Sequence, residues 1–145
     1  MLRTALLAPV FASALAFGLT AQAQAEVLHF KTTMTPAQEV PANTSQGTGV
    51  ATGKLDTSTK TLTYKVEWKG LTGPATMAHF HGPAAAGENA PVLIPLGNNP
   101  KSPINSKAQL TDDQVKAFTD GKVYVNVHTD ANKGGEIRGQ VTLSK

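Results

Sequence analysis

Apolar and polar residues alternate strictly over several short segments of this chain. The clearest example is residues 61–68, where the side chain at every second position is apolar. Because successive side chains of a β-strand face opposite sides of a sheet, this pattern predicts strands with one face in a hydrophobic core. Strands are predicted at residues 27–34, 47–55, 61–68, 76–81, 91–96, 122–128 and 136–143.

One segment departs from this alternation and predicts a short helix. Thr111 is followed three residues later by Gln114, which is the spacing of a capping box. Asp112 and Asp113 fall in the first turn, where the helix dipole favours acidic side chains. Gly121 predicts the end of the helix, because glycine readily adopts the left-handed conformation that terminates one.

The remaining segments are predicted to be turns and loops. Residues 97–109 are polar and contain two prolines, which predicts an ordered surface loop. Glycines at positions 47, 49 and 53 predict a bulge or a close backbone approach in the second strand. About seven short strands separated by turns predict an all-β fold: a Greek-key antiparallel β-sandwich or barrel with one short helix.

The first 25 residues are predicted to be a signal peptide outside the fold. Arg3 precedes an uncharged apolar run at residues 5–19, and residues 23–25 have the small-x-small pattern of a cleavage site. The run is short for a membrane span, which needs about 20 apolar residues. We therefore expect residues 26–145 to form one exported domain, periplasmic or secreted, with no membrane span. An uncleaved N-terminal anchor is the alternative.

Composition and charge exclude several functions for this domain. Without Arg3 the formal net charge falls from +3 to +2, and the lysines are scattered instead of forming a basic stripe. The sequence therefore predicts no nucleic-acid partner. The absence of cysteine excludes a cysteine nucleophile, a thiolate zinc site, a cysteine-held iron–sulfur cluster and a blue-copper centre.

Three of the four histidines form a candidate metal site. His79 and His81 are two residues apart in a predicted strand, so they share a face of the sheet with Met77. His128 ends another predicted strand, and adjacent strands would bring it close to this pair. Three neutral imidazoles with an open position suit copper or zinc, and copper binds more tightly in the usual divalent order. The alternative is structural histidines that donate hydrogen bonds to loop carbonyls.

Charged residues near the last strand offer a second candidate feature. Glu136 and Arg138 share a face of that strand, and the Arg138 guanidinium would attract a small anion if it lay near the histidines. The alternatives are a solvated strand face, or a salt bridge from Arg138 to Asp130 or Glu136. A zinc hydrolase is a further alternative, with Glu88 or Glu136 as general base. His29 is predicted to be an exposed strand histidine.

Five motifs, in order along the chain, resemble the CHRD (chordin-type) domain family. They are AQEVP (37–41), AHFHGPA (78–84), GENAPV (87–92), YVNVHT (124–129) and GGEIRG (134–139). The resemblance implies an extracytoplasmic β-sandwich over essentially all of residues 26–145. CHRD domains were named from repeats in chordin, a secreted antagonist of bone morphogenetic proteins, and also occur singly in bacterial exported proteins. The resemblance therefore also implies an alternative function, a non-enzymatic partner-binding or adhesion module with structural histidines.

The histidine pattern also resembles that of copper–zinc superoxide dismutases, which are Greek-key β folds. The resemblance rests on the His-x-His strand, the later histidine and the glycine-rich turn that leads to an arginine. It implies that His79, His81 and His128 are copper ligands and that Arg138 guides superoxide. The chain lacks a second histidine-rich loop and a disulfide, so such an enzyme would use copper alone. Our hypothesis is an exported copper-binding protein whose use is superoxide dismutation, or else copper holding.

Overall fold

A computed structural model describes residues 25–145, which form eight strands and one α-helix. The predicted signal peptide falls outside the described residues, apart from Ala25. No helix in the described part of the chain is long and apolar enough to cross a membrane. The elements are β1 (Val27–Met34), β2 (Thr48–Asp56), β3 (Thr61–Lys69), β4 (Ala75–His81), β5 (Val92–Asn98), β6 (Ile104–Gln109), α1 (Asp112–Thr119), β7 (Val123–Thr129) and β8 (Ile137–Val141).

The strands form two four-stranded antiparallel sheets, in the orders β1-β2-β3-β6 and β5-β4-β7-β8. The predicted antiparallel β-sandwich with one short helix is therefore confirmed. The two sheets meet along one side, where β1 approaches β8 through backbone bridges from His29 to Ser144 and from Thr35 to Arg138. This junction gives the sandwich the character of a partly closed barrel.

The core lies between the inner faces of the two sheets, as the alternation predicts. Phe80 of β4 is at its centre with no solvent exposure. Its ring makes edge contacts with Phe30, Tyr64 and Phe118, at centroid distances of 6.3, 5.4 and 5.5 Å. Gly53 confirms the predicted close approach, because a Cβ there would collide with the Phe30 ring and a backbone carbonyl of β3.

The prediction of a surface loop over residues 97–109 was wrong outside residues 99–103, since β5 continues to Asn98. Residues 104–109 form β6, which pairs with β3 over residues 61–66. Ile104 and Ala108 are only partly buried, and most of the other side chains of β6 are exposed. β6 is an edge strand of polar sequence, and its pairing partner rather than its own hydrophobic pattern makes it a strand.

The helix α1 has the capping box that the sequence predicts. The backbone N–H of Gln114 donates to Thr111 Oγ1 at 3.2 Å, and the backbone N–H of Thr111 donates to Gln114 Oε1 at 3.0 Å. The helix ends before Gly121, which has a positive φ of 68°. Ala117 and Phe118 place its apolar side in the core.

Thr111→Ala is expected to lower the free energy of unfolding by about 1 kcal/mol. The substitution removes the hydroxyl that accepts the hydrogen bond from the Gln114 backbone N–H, and it leaves the buried face of α1 intact. Chemical denaturation would measure the loss, with the exposed Thr142→Ala as control, expected to change stability by less than about 0.5 kcal/mol. Equal stability of the two variants would show that the capping box is dispensable.

The outer face of the second sheet is covered by loops. All seven residues of β7 are buried, although only alternate side chains face the core. One covering segment precedes β2 and the other joins β4 to β5. They meet where Asn89 Nδ2 donates to the Val40 carbonyl at 2.9 Å. Gln140 of β8 also donates to the Ala84 carbonyl, at 3.0 Å. This face therefore has a partly enclosed polar layer, and it contains the candidate site.

Candidate metal centre

Adjacent strands β4 and β7 carry the three candidate histidines on the outer face of their sheet. The antiparallel register pairs Met77 with His128, His79 with Asn126, and His81 with Tyr124. The intervening Ala78 and Phe80 are fully buried in the core. The structure thus brings together the residues that the sequence predicted to share one face.

The histidine rings are close enough to bind a single ion. One ring nitrogen from each of His79, His81 and His128 can be chosen so that all three lie within 4.8 Å of one another. His79 Nδ1 and His128 Nε2 are 3.0 Å apart. The ring centroid of His79 lies 5.2 Å from that of His81 and 4.9 Å from that of His128. His29, the fourth histidine, is exposed on β1, as predicted.

Backbone carbonyls fix the tautomers of two of these rings. His81 Nδ1 lies 2.9 Å from the Ala90 carbonyl oxygen, and His128 Nδ1 lies 2.9 Å from that of Lys133. A carbonyl can only accept, so in both rings Nδ1 carries the proton and Nε2 is unprotonated. His81 Nε2 is buried and has no hydrogen-bond partner among residues 25–145. Protein metal sites commonly orient histidine ligands by such hydrogen bonds.

The environment favours the neutral form of all three rings. Burial lowers the pKa of His79 to about 4, with further lowering from His128 and His81. Burial is also the largest cause of the lowered pKa values of His81 and His128. The cluster is therefore uncharged at neutral pH, and neutral imidazole is the form that binds metals.

The Tyr124 ring and the Arg138 guanidinium stack in sequence on one face of the His81 ring. The Tyr124 ring is nearly parallel to it, with centroids 4.8 Å apart and an interplanar angle of 6°. The Arg138 guanidinium lies over the Tyr124 ring, 3.4 Å from its centroid. Arg138 in turn donates to the Glu88 carbonyl at 2.6 Å and to Asn89 Oδ1 at 3.1 Å. The loop that joins β4 to β5 therefore holds both the stack and the His81 tautomer.

The family comparison decides what kind of domain carries this site. The CHRD domain family matches residues 30–141, from β1 to the end of β8. This chain belongs to the CHRD family. The family resemblance predicted from the five motifs is thereby confirmed, and all of those motifs lie inside the matched region. No curated protein and no solved structure shows a significant match to the chain.

Arg138 of this CHRD domain is buried, not solvated. Its side chain is 1% exposed, so the alternative of a solvated strand face is wrong. The alternative of a salt bridge to Asp130 or Glu136 is also wrong, since the described ion pairs do not include Arg138. Its positive charge nevertheless contributes to the lowered pKa of His81. Attraction of an anion by Arg138 stays a prediction. Because the guanidinium is buried, it would attract the anion through its electrostatic field at His81 and not by direct contact.

Glu39 is a buried carboxyl group beside this cluster that the sequence analysis did not identify. It is 5% exposed, and burial raises its pKa to about 7, although Arg138 and Asn126 act in the opposite direction. Glu39 Oε1 and Asn126 Oδ1 have no hydrogen-bond partner in the described part of the chain. The AQEVP motif contains Glu39, but only the fold shows that this segment covers the second sheet.

Glu136 has a separate, structural environment. Its carboxylate accepts from the hydroxyls of Ser45, Thr72 and Thr129, at 2.5, 2.7 and 2.5 Å, and from the Thr72 backbone N–H at 2.8 Å. Burial opposes ionisation, but these hydrogen bonds prevail and lower the pKa to about 2. Such a weak base, with no solvent exposure, is unsuited to the general-base role of a zinc hydrolase. Glu88, the other candidate, is exposed in the covering loop.

Proposed function

We propose that this CHRD domain binds one copper ion through His79, His81 and His128. The observation that carries the proposal is the pair of fixed tautomers. His81 and His128 both donate Nδ1–H to a backbone carbonyl, so Nε2 of each ring is unprotonated and can bind a metal. The buried Nε2 of His81 has no other partner among the described residues, and an unpaired buried polar atom is costly unless a ligand satisfies it.

His79 would complete the ligand set from the neighbouring position on β4. Its Nδ1 lies within hydrogen-bond distance of His128 Nε2, at 3.0 Å. Because the His128 tautomer leaves Nε2 unprotonated, His79 donates in this contact. For His79 to bind copper through Nδ1, this proton would move to Nε2 of the same ring, and both rings would then offer a lone pair. His79 is partly exposed, so the site has an opening to solvent beside this ring.

The donor set favours copper over other common metals. Imidazole nitrogen is a good ligand for copper and zinc, and copper binds more tightly in the divalent series. Magnesium and calcium prefer oxygen ligands, and the cluster offers three nitrogens and no carboxylate. Zinc remains the main competitor, so the test compares the two metals directly.

Bound copper would supply one-electron redox chemistry, which superoxide dismutation uses and copper holding does not. The chain's own residues would bind the ion, shield two of the three ligands from water and supply the positive field of Arg138. A superoxide assay of the copper-loaded protein separates the two uses. We expect dismutation above the rate of the metal-free protein; no increase would assign the site to copper holding.

The test of the proposal is metal analysis of the untagged protein after loading with copper, or with copper and zinc in equal amounts, and desalting. We expect about one copper per chain and an EPR signal of nitrogen ligation. His79→Ala/His81→Ala should lose stoichiometric copper while keeping a β-type circular dichroism spectrum. His29→Ala, an exposed histidine outside the cluster, is the matched control and should retain copper.

Two outcomes would contradict the proposal. Folded wild-type protein that retains no copper would favour the alternative of a partner-binding module with structural histidines. Copper retained equally by the double variant would place the metal elsewhere. Preferential retention of zinc in the mixed loading would keep the site and change the metal.

A further inference from the structure

Met77 is an exposed apolar side chain beside the histidine cluster. It lies on β4 two residues before His79, on the same face of the sheet, and directly opposite His128 on β7. It is 37% exposed, one of three large hydrophobic residues with this degree of exposure in the described part of the chain. It is not among the residues that form or pack against the hydrophobic core. Its side chain is therefore not held in the hydrophobic core.

The thioether of methionine is a soft ligand, unlike imidazole. Soft sulfur ligands select copper in its cuprous state, whereas imidazole serves both oxidation states. We propose that Met77 supplies a thioether ligand to Cu(I) at the site formed by His79, His81 and His128. This inference rests on the proposed copper site and specifies the oxidation state that the site prefers.

The placement of Met77 suits this role. Residues directly opposite each other in an antiparallel pair have Cβ atoms about 4.5–5.5 Å apart, so Met77 and His128 are immediate neighbours. Methionine is unbranched and has three rotatable bonds, so its sulfur can reach varied positions. Because the side chain lies outside the core, it can turn toward the histidines without leaving a cavity behind.

The sulfur content of the chain makes the inference directly testable. The sequence has no cysteine and three methionines, Met1, Met34 and Met77. Met34 is fully buried in the core, and Met1 lies outside the described residues. A copper–sulfur signal that disappears on substitution of Met77 would therefore identify this thioether.

The experiment compares the wild-type protein with Met77→Leu, which keeps the apolar surface and removes the sulfur. Cu(I) affinity is measured anaerobically by competition with a chromophoric Cu(I) chelator, and Cu(II) affinity by competition at the same pH. We expect Cu(I) binding to weaken at least about tenfold and Cu(II) binding to change by less than about twofold, because only the cuprous ion prefers thioether. Val27→Leu, at an exposed apolar residue on β1 of the other sheet, should change neither.

X-ray absorption at the copper edge provides the second readout. The Cu(I) form of the wild-type protein should show a sulfur neighbour in addition to nitrogen, and Met77→Leu should show nitrogen alone. Unchanged Cu(I) affinity in Met77→Leu, or no sulfur neighbour in the wild type, would overturn the inference while leaving the histidine site intact. Failure of the wild type to bind copper in either state would instead overturn the proposed function.

Discussion

Phe80→Ala is expected to lower the free energy of unfolding by about 4 kcal/mol. Phe80 has no solvent exposure, and its ring contacts three other aromatic rings that come from β1, β3 and α1. Removal of the ring would leave a cavity that these neighbours cannot fill without moving whole elements. Urea denaturation followed by circular dichroism would measure the loss.

Two further variants make this prediction specific to packing. Phe80→Leu keeps most of the volume and is expected to lose about 1 kcal/mol, so it gives a measurement even if Phe80→Ala does not fold. Val92→Ala, at an exposed position of the same sheet, should stay within about 0.5 kcal/mol of the wild type. A loss below about 1.5 kcal/mol for Phe80→Ala would mean that the core collapses easily around the vacated volume.

Glu136→Gln is expected to destabilise the domain by about 3 kcal/mol at pH 7. The carboxylate accepts three hydroxyl hydrogens and one backbone N–H hydrogen, all four from donors in other segments. Glutamine has the same shape, but its NH2 group is a donor and would face these donors. With the amide oxygen toward Ser45 and the Thr72 N–H, the NH2 group would face the Thr72 and Thr129 hydroxyls, which would have to turn and accept. The charge-assisted hydrogen bonds of the carboxylate would be lost in either case.

The effect of Glu136→Gln should shrink in acid. The folded-state pKa of Glu136, about 2, lies below its ordinary value of 4.5. A lowered folded-state pKa stabilises the folded domain above the unfolded-state value, and this stabilisation is lost as the pH falls from about 5 toward 2. Denaturation of both proteins at pH 7 and pH 3 would test this. Glu39 is present in both, so its own titration cancels in the difference.

A difference that is equal at pH 7 and pH 3 would contradict the assignment of a lowered pKa to Glu136. Glu88→Gln is the matched control, since Glu88 is an exposed glutamate in the loop that joins β4 to β5. It should leave stability unchanged at both pH values.

The alternation of residues was sufficient to predict most of the fold. In β3, β4 and β7 the apolar positions of the sequence pattern are the positions whose side chains face the core. β6 was missed because an edge strand with one paired side needs little hydrophobic pattern of its own. Its identity depends on pairing with β3, which is a long-range contact that a local pattern does not contain.

The alternation of residues along a strand also predicted the His79/His81 pair, but it did not predict the surroundings of the histidines. Strand periodicity alone puts His79 and His81 on one face, whereas the position of His128 beside them depends on the pairing of β4 with β7. The burial of Arg138 and the raised pKa of Glu39 depend on loops that cover the outer face of the sheet. Hydrogen bonds from histidines to loop carbonyls were the sequence alternative, but only the fold identifies Ala90 and Lys133 as the acceptors that fix the tautomers. The stacking of Tyr124 on His81 likewise depends on the three-dimensional register.

The junction of β1 with β8 has a consequence for how this domain folds. The His29–Ser144 bridge joins residues 115 positions apart. The junction between the two sheets can therefore form only after nearly the whole domain is in place. Contacts of such long range slow folding, typically into the range of milliseconds to seconds for β-sandwich domains. No single hairpin forms this junction, so we expect the domain to fold in one cooperative transition. Stopped-flow refolding should show no stable intermediate in which only one sheet has formed.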